Sequence, residues 1–191
     1  RKGMSIAQHD YADFDGIPLP NGEGLPLFKD YLLKAKSCPG TFLVVEIKDQ
    51  KSDERNDALV GKMLSDIREA GMYDPALLGF ISFDWHVCCE IARLCPGFCN
   101  QYLASELKGK KSPKEVKEAG INGIDYQYRV FYEHPEWVEE AHALGMTVNS
   151  WTVNREQDIR RMIGLGVDQI TTNYPLLVRE ILSKNELVRG K

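Results

Sequence analysis

The sequence predicts an α/β fold of the (β/α)8 barrel type, and three observations support this prediction. From residue 42 onward, short apolar segments alternate with longer segments of helical apolar spacing, which is typical of a parallel sheet with right-handed crossovers. Polar and aromatic residues stand at the ends of most predicted strands, and in a barrel these ends meet at one mouth. No glycine-rich phosphate loop follows any strand, which disfavours an open dinucleotide-binding sheet.

Each predicted strand is followed by a predicted helix in which apolar residues recur about every 3.6 positions. Leu59, Met63 and Ile67 have this spacing in the first of these helices. The predicted strands are 42–48, 77–82, 100–103, 121–126, 146–152 and 167–171. The predicted helices are 54–70, 84–94, 112–119, 135–144, 155–165 and 175–183.

Several helix boundaries are marked by residues that satisfy free backbone groups. Ser112-Pro113-Lys114-Glu115 predicts a capping box with proline at the first helical position. Asp84 and Asn154 are predicted N-caps, since a short polar side chain can accept a hydrogen bond from the first turn. The predicted C-terminal stops are Gly71, Gly120, Gly145 and Gly166.

The N-terminal part of the sequence departs from a full barrel. A (β/α)8 barrel needs eight units and typically about 250 residues, whereas this chain has 191 residues and six clear units. Residues 1–41 contain a loop and one amphipathic helix from Leu27 to Ala35, without a convincing strand. We therefore expect one barrel domain over residues 1–191 that lacks the first two βα units.

The predicted strand 42–48 carries two charges near its end. Because successive strand side chains point to opposite faces, Glu46 and Lys48 share one face while Val45 and Ile47 share the other. Charged residues inside a buried parallel strand cost desolvation energy. A metal, an anionic ligand or mutual pairing of the two charges would compensate for this cost, and the residues alone leave all three open.

Composition excludes some classes of function. The hydrophobic content of 43% and charged content of 27% suit a globular α/β domain. The formal net charge is −4 and the basic residues are scattered, so we expect no nucleic-acid partner. No run of about 18 apolar residues occurs, so we expect no transmembrane segment.

Cysteines and histidines give little sign of a site. The cysteine count is odd, without a CxxC motif, which favours buried small hydrophobic residues over a metal site or catalytic thiol. A Cys95–Cys99 bridge is an open alternative. His86, His134 and His142 fall in helical regions, away from the strand ends, and are interpreted as surface or packing residues.

Short motifs in a fixed order link the chain to a known family. They are Leu25-Pro26-Leu27-Phe28, Glu46-Ile47-Lys48, Ser82-Phe83-Asp84, Gly123 to Tyr128, Trp151-Thr152-Val153-Asn154, and Gly166 to Pro175. In these motifs the chain resembles the glycerophosphodiester phosphodiesterases over nearly its whole length. Each motif alone is weak, but their order and barrel spacing make the set fairly specific.

The resemblance implies a chemistry and a set of site residues. Members of the family hydrolyse glycerophosphodiesters to glycerol 3-phosphate and an alcohol, with a divalent metal (Ca2+ or Mg2+) held by carboxylates and two histidines as general acid and base. By resemblance, Glu46 is a metal ligand and Lys48 is a catalytic residue that faces the phosphate. Trp151 and Phe83 would bind the small-molecule substrate, although ordinary core packing explains these two aromatic residues equally well.

Other family motifs are absent. The His-Arg-Gly of the first strand, the Pro-Glu-Asn-Thr helix start and the Glu-x-Asp of the second strand do not occur. His9-Asp10 is similar to a later His-Asp motif, but it lies too close to Pro26 and follows no apolar strand. Both catalytic histidines and two of the three metal carboxylates are thus expected upstream of Arg1. Residues 1–191 alone are therefore expected to be inactive.

Two further hypotheses stay open. The chain could be a non-catalytic binding module of the same ancestry, whose open strand edges predict homo-oligomerisation or pairing with another segment. It could also be another barrel enzyme, such as an aldolase or sugar-phosphate isomerase, with Lys48 as the candidate for a Schiff base. The head-group alcohol and the compartment are not determined, although many bacterial members of the family are periplasmic or secreted.

Overall fold

A computed structural model of the protein describes residues 4–189. Six parallel strands form one sheet in which each strand pairs with the next along the chain. Within the described residues, the first and last strands pair on one side only, so the sheet is an incomplete barrel, as predicted. The strands are β1 (Leu43–Glu46), β2 (Leu78–Ser82), β3 (Asn100–Ala104), β4 (Gly123–Gln127), β5 (Thr147–Trp151) and β6 (Gln169–Ile170).

Helices follow every strand. The helices are α1 (Phe28–Lys36), α2 (Asp53–Glu69), α3 (Trp85–Leu94), α4 (Pro113–Glu118), α5 (Val130–Glu133), α6 (Glu136–Ala143), α7 (Glu156–Leu165) and α8 (Pro175–Arg189). Helix α5 is a short helix that was not predicted from the sequence. For the other helices, most ends lie within a few residues of their predicted positions. None of the helices in residues 4–189 is long and apolar enough to cross a bilayer.

Most predicted helix boundaries are confirmed. Ser112 and Glu115 form the capping box, and the Asp84 carboxylate accepts a hydrogen bond from the Val87 N–H at 2.9 Å. The four predicted glycine stops have positive φ angles of 65°, 80°, 68° and 84°, which glycine adopts without strain. The prediction of Asn154 as an N-cap was wrong, because its side-chain oxygen accepts a hydrogen bond from the Asn173 N–H at 2.9 Å instead.

The main core lies between the outer face of the sheet and the helices. Outward-facing strand side chains are almost fully buried there, among them Val45, Phe80, Ile124 and Val148. Burial of each such side chain contributes about 1.5–3 kcal/mol to stability. This layer fixes the direction of every strand, and it thereby fixes which residues face inward.

Some polar residues at the strand ends point into this outer layer and not toward the mouth. Tyr126 is fully buried, and its hydroxyl donates a hydrogen bond to the Lys111 carbonyl at 2.8 Å. Tyr102 is 5% exposed in the same layer, and the buried Ser82 hydroxyl donates to the Ile47 carbonyl at 2.7 Å. These three side chains at strand ends therefore do not line the mouth, because strand alternation places them on the outer face.

The inner face of the sheet is polar near the amino ends of β3, β5 and β6. The Gln101 side-chain amide donates hydrogen bonds to Thr147 Oγ1 at 3.0 Å and to Gln169 Oε1 at 3.3 Å. These contacts join β3 to β5 and β6 across the concave side. Strands that are not neighbours meet in this way only when the sheet is strongly curved, as in a barrel.

Replacing Gly123 with alanine is expected to destabilise the protein by about 1–3 kcal/mol. A Cβ atom at Gly123 would lie 2.6 Å from the Gln101 side chain, 2.6 Å from Thr147 Oγ1 and 3.0 Å from the Thr147 carbonyl oxygen. Urea unfolding measures the effect. As a control, Gly61→Ala in helix α2 meets nothing within 4 Å and is expected to stabilise by about 0.5–1 kcal/mol. Equal stability of Gly123→Ala and wild type would contradict the close packing described.

The five cysteines are free thiols. The Cys95–Cys99 bridge considered from the sequence therefore does not form in this structure. Cys88 and Cys95 are 1% and 2% exposed, so the interpretation as buried small hydrophobic residues is confirmed for these two. Burial raises the pKa of the Cys88 thiol, which makes it a poor nucleophile.

Candidate active site

A cavity of about 260 Å³ lies at the carboxyl ends of the strands. Side chains on or just after each of the six strands reach it, which agrees with the predicted convergence at one mouth. All four site residues predicted from the sequence are among the lining residues. The residues that line the cavity are Glu46, Lys48, Ile81, Phe83, Leu103, Asp125, Trp151, Thr152 and Thr171.

Glu46 and Lys48 form an ion pair at one side of the cavity, between Oε1 and Nζ. Their side chains are 33% and 71% exposed, and Val44 on the same face is 44% exposed. The expectation of a strand buried on both faces was therefore wrong for β1, whose inner face is open to solvent. Of the three compensations considered for the charges, the structure contains mutual pairing, and the desolvation cost is small.

Phe83, just after β2, and Trp151, at the end of β5, contact each other in the lining of the cavity. Their ring centroids are 5.5 Å apart and their planes are nearly perpendicular, at 85°. The Trp151 indole N–H donates a hydrogen bond to the Asp125 carbonyl at 2.9 Å, which holds the indole in place. Phe83 is 47% exposed, so it is not a core residue. Together, the two rings form an aromatic wall.

The sequence analysis missed Asp125 as a candidate site residue. It lies on β4 opposite Leu103 and Asn149, is 1% exposed and lines the cavity. Its Oδ1 atom has no hydrogen-bond partner within the described part of the chain. Burial raises the pKa of this carboxyl to about 7, and the nearby Glu46 carboxylate contributes in the same direction. Successive side chains of a strand point to opposite faces, and this alternation, relative to the outward-facing Tyr126, could have identified Asp125 as inward-facing.

The four histidines lie outside the cavity. His86 contacts Asp57 at 2.8 Å, His142 contacts Asp168 at 3.0 Å, and His134 stacks on Trp137. These contacts confirm the prediction that the three are surface or packing residues. The fourth, His9, lies in the N-terminal segment, where its Nδ1 is 2.8 Å from the Ser5 carbonyl oxygen.

The described residues supply part of a metal site at most. No three histidine, cysteine, aspartate or glutamate side chains within residues 4–189 are grouped closely enough to hold a metal ion. Glu46 offers oxygen ligands of the type that Ca2+ and Mg2+ prefer, and it faces an open cavity. The cavity therefore combines an exposed ammonium group, a carboxylate and an aromatic wall.

Comparison with known proteins identifies the family. The sequence model of the glycerophosphoryl diester phosphodiesterase family matches residues 4–177. The chain belongs to this family. This confirms the resemblance found in the sequence, and members of the family generally depend on a divalent metal.

Individual known proteins are similar to this chain to different extents. The chain is similar to a glycerophosphodiester phosphodiesterase from Parabacteroides distasonis, with 36% identity over 93% of this chain and 72% of that chain and a TM-score of 0.87. A phosphodiesterase from Oleispira antarctica, solved with its product sn-glycerol-3-phosphate, shares the fold at 17% identity, with a TM-score of 0.70 over 84% of this chain and 62% of that chain. A dermonecrotic toxin from Loxosceles boneti is 44% identical over 39 residues, which are 20% of this chain and 14% of the toxin.

Proposed function

We propose that this protein hydrolyses glycerophosphodiesters to glycerol 3-phosphate and an alcohol with the help of a divalent cation. The observation that carries the proposal is the pairing of Glu46 and Lys48 at a cavity with an aromatic wall. These two residues stand where the family resemblance expects a metal ligand and a phosphate-binding lysine. Family membership favours this reaction over the Schiff-base chemistry of an aldolase.

Glu46 would hold the divalent cation through its carboxylate. Mg2+ commonly binds one or two protein carboxylates and completes its shell with water and substrate phosphate oxygens, so the exposed Glu46 carboxylate can serve such a site. When bound, the cation would neutralise negative charge that develops on the phosphoryl oxygens. Both Ca2+ and Mg2+ suit the oxygen donors of Glu46.

Lys48 would bind the phosphate oxygens of the substrate. Its pair with Glu46 is largely exposed to solvent, and such pairs contribute only about 0–1 kcal/mol. The ammonium group can therefore exchange the Glu46 carboxylate for a phosphate oxygen at little cost. At the phosphate, a fixed positive charge stabilises the transition state more than the ground state, because negative charge builds on the oxygens.

Phe83 and Trp151 would form the wall against which the organic part of the substrate packs. The flat, apolar face of an indole is complementary to the C–H groups of a glycerol moiety. The product bound by the Oleispira antarctica phosphodiesterase, sn-glycerol-3-phosphate, has this combination of a phosphate and a small polyol. The proposed ligand class is therefore a small-molecule phosphodiester.

A binding function without hydrolysis is the second candidate. It is favoured by the position of the four histidines, none of which lines the cavity, and by the lack of a cluster of three metal ligands within the described residues. In this case the cavity would bind a phosphorylated polyol and release it unchanged. Homo-oligomerisation through the open edges of β1 and β6 stays a prediction under either function.

The test is an assay for metal-dependent release of glycerol 3-phosphate from glycerophosphocholine. Hydrolysis is expected with added Mg2+ or Ca2+ and not with a chelator when the full-length protein, including any residues upstream of Arg1, is assayed. In this protein Glu46→Gln is expected to lower the rate about 100-fold because it removes a metal ligand. Glu133→Gln is the matched control, since Glu133 pairs with Lys110 at 2.6 Å outside the cavity. Full activity of Glu46→Gln would refute the metal assignment. Binding of glycerol 3-phosphate without hydrolysis by the wild type would favour the second candidate.

A further inference from the structure

We propose that Asp125 is the residue that recognises a free hydroxyl group on the glycerol moiety of the substrate. This inference rests on the proposed function and assigns a specificity-determining role to a residue outside the Glu46–Lys48 pair. It makes the cavity selective for a polyol phosphate over a phosphate that carries a plain alkyl chain.

The starting observation is a buried carboxyl oxygen without a partner. Asp125 is 1% exposed, and its Oδ1 atom has no hydrogen bond within residues 4–189. Almost all buried polar atoms in folded proteins have a partner, and leaving a carboxyl oxygen without one is costly. Because Asp125 also lines the cavity, the missing partner is best supplied by a group that enters that cavity.

The surroundings of Asp125 indicate a hydroxyl as that group. The cavity wall is largely apolar, with Ile81, Leu103, Phe83 and Trp151, and Asn149 on β5 is the polar neighbour of Asp125. A glycerol moiety presents C–H groups to such a wall and has hydroxyl groups that can donate to a carboxylate. The Trp151 indole is held against the Asp125 backbone at 2.9 Å, so the apolar surface and the acceptor lie side by side.

Charge orients the ligand within the cavity. The exposed ammonium group of Lys48 lies at the β1 side, whereas the Asp125 carboxyl lies on β4. A phosphate anion is attracted to the first and repelled by the second when that carboxyl is ionised. A ligand that places its phosphate at Lys48 therefore extends its glycerol carbons toward Trp151 and Asp125.

The experiment compares two ligands that differ only in hydroxyl groups. Dissociation constants of sn-glycerol 3-phosphate and propyl phosphate are measured by calorimetric titration on the full chain with Mg2+ present. At pH 8, where the Asp125 carboxyl with its pKa of about 7 is mostly ionised, wild type is expected to bind glycerol 3-phosphate at least about tenfold more tightly, since a hydrogen bond to a charged group is worth at least that factor. Asp125→Leu is expected to reduce this ratio to about one by weakening glycerol 3-phosphate binding while propyl phosphate binding is retained.

Asp125→Asn is the second variant, because its side-chain amide can still form a hydrogen bond with a hydroxyl group. Its ratio of the two dissociation constants is expected to lie between those of wild type and Asp125→Leu. If Asp125→Leu does not fold, as judged by thermal unfolding, a ratio in Asp125→Asn at least about threefold below wild type supports the proposal. Equal binding of both ligands by wild type, or an unchanged ratio in the variants, would overturn this inference and leave the proposed function standing. Failure of wild type to bind either phosphate would overturn both.

Discussion

Replacement of Lys48 by methionine is expected to lower kcat/KM for a glycerophosphodiester by about 100- to 1,000-fold, the usual effect of removing one group that stabilises developing negative charge. Methionine keeps an unbranched side chain but has no charge to place against the phosphate. The expected stability change is below about 1 kcal/mol, because the pair with Glu46 is exposed. Steady-state kinetics and urea unfolding measure the two effects separately.

Lys110→Met is the matched control for this substitution. Lys110 pairs with Glu133 at 2.6 Å in the same manner, but it does not line the cavity. Its replacement is expected to leave kcat/KM unchanged. The affinity for glycerol 3-phosphate gives a second readout, which should fall in Lys48→Met alone. Wild-type kinetics in Lys48→Met would show that Lys48 does no more than pair with Glu46.

Replacement of Asp125 by asparagine is expected to raise stability relative to wild type as pH rises, by an increment that approaches about 4 kcal/mol between pH 4 and pH 8. The pKa of this carboxyl is about 7 in the folded protein against an ordinary value of 3.8, and one pKa unit corresponds to about 1.4 kcal/mol. Between these two values the unfolded chain binds fewer protons than the folded one. The stability of wild type therefore falls as pH rises from about 4 to 7, and the full cost is present above pH 7.

Urea unfolding of wild type and Asp125→Asn at pH 4.5, 6 and 8 measures this effect. The difference in the free energy of unfolding between the two proteins is expected to grow with pH, since asparagine does not titrate. The other charged groups that line the cavity, Glu46 and Lys48, stay in place in both proteins, and the strand neighbours Leu103 and Asn149 carry no charge. Asp15→Asn, at an exposed position, controls for the loss of a charge as such. Parallel curves for wild type and Asp125→Asn would contradict the buried position of the carboxyl.

Much of the fold could be predicted because its signals are local. The capping box at Ser112 and the glycine stops such as Gly166 act within one helical turn, so neighbouring residues suffice to identify them. Alternation of apolar segments located all six strands. Asn154 failed as a predicted cap because its side chain bonds to Asn173 on another loop, and no local pattern reports a contact at that sequence distance.

The candidate site could be predicted only where a motif or a simple alternation placed the residues. Glu46 and Lys48 are two positions apart in the predicted strand 42–48, so their shared side follows from strand geometry. The contact between Phe83 and Trp151 joins two strands that are not neighbours, and it depends on the curvature of the sheet. The motif from Gly123 to Tyr128 did not by itself identify Asp125 as inward-facing and Tyr126 as outward-facing, because a shift of one residue in a strand reverses the direction of every side chain.

By itself, the sequence determined the order of the βα units, the helix ends, the family and the pair of charges at the end of β1. These features depend on spacing along the chain, which the sequence contains directly. The tertiary structure alone decided that β1 is open on its inner face, that Glu46 and Lys48 pair, and that one carboxyl oxygen of Asp125 is buried without a hydrogen-bond partner in the described part of the chain. Burial and pairing depend on which strands curve toward one another, and this is set by the packing of the whole sheet against its helices.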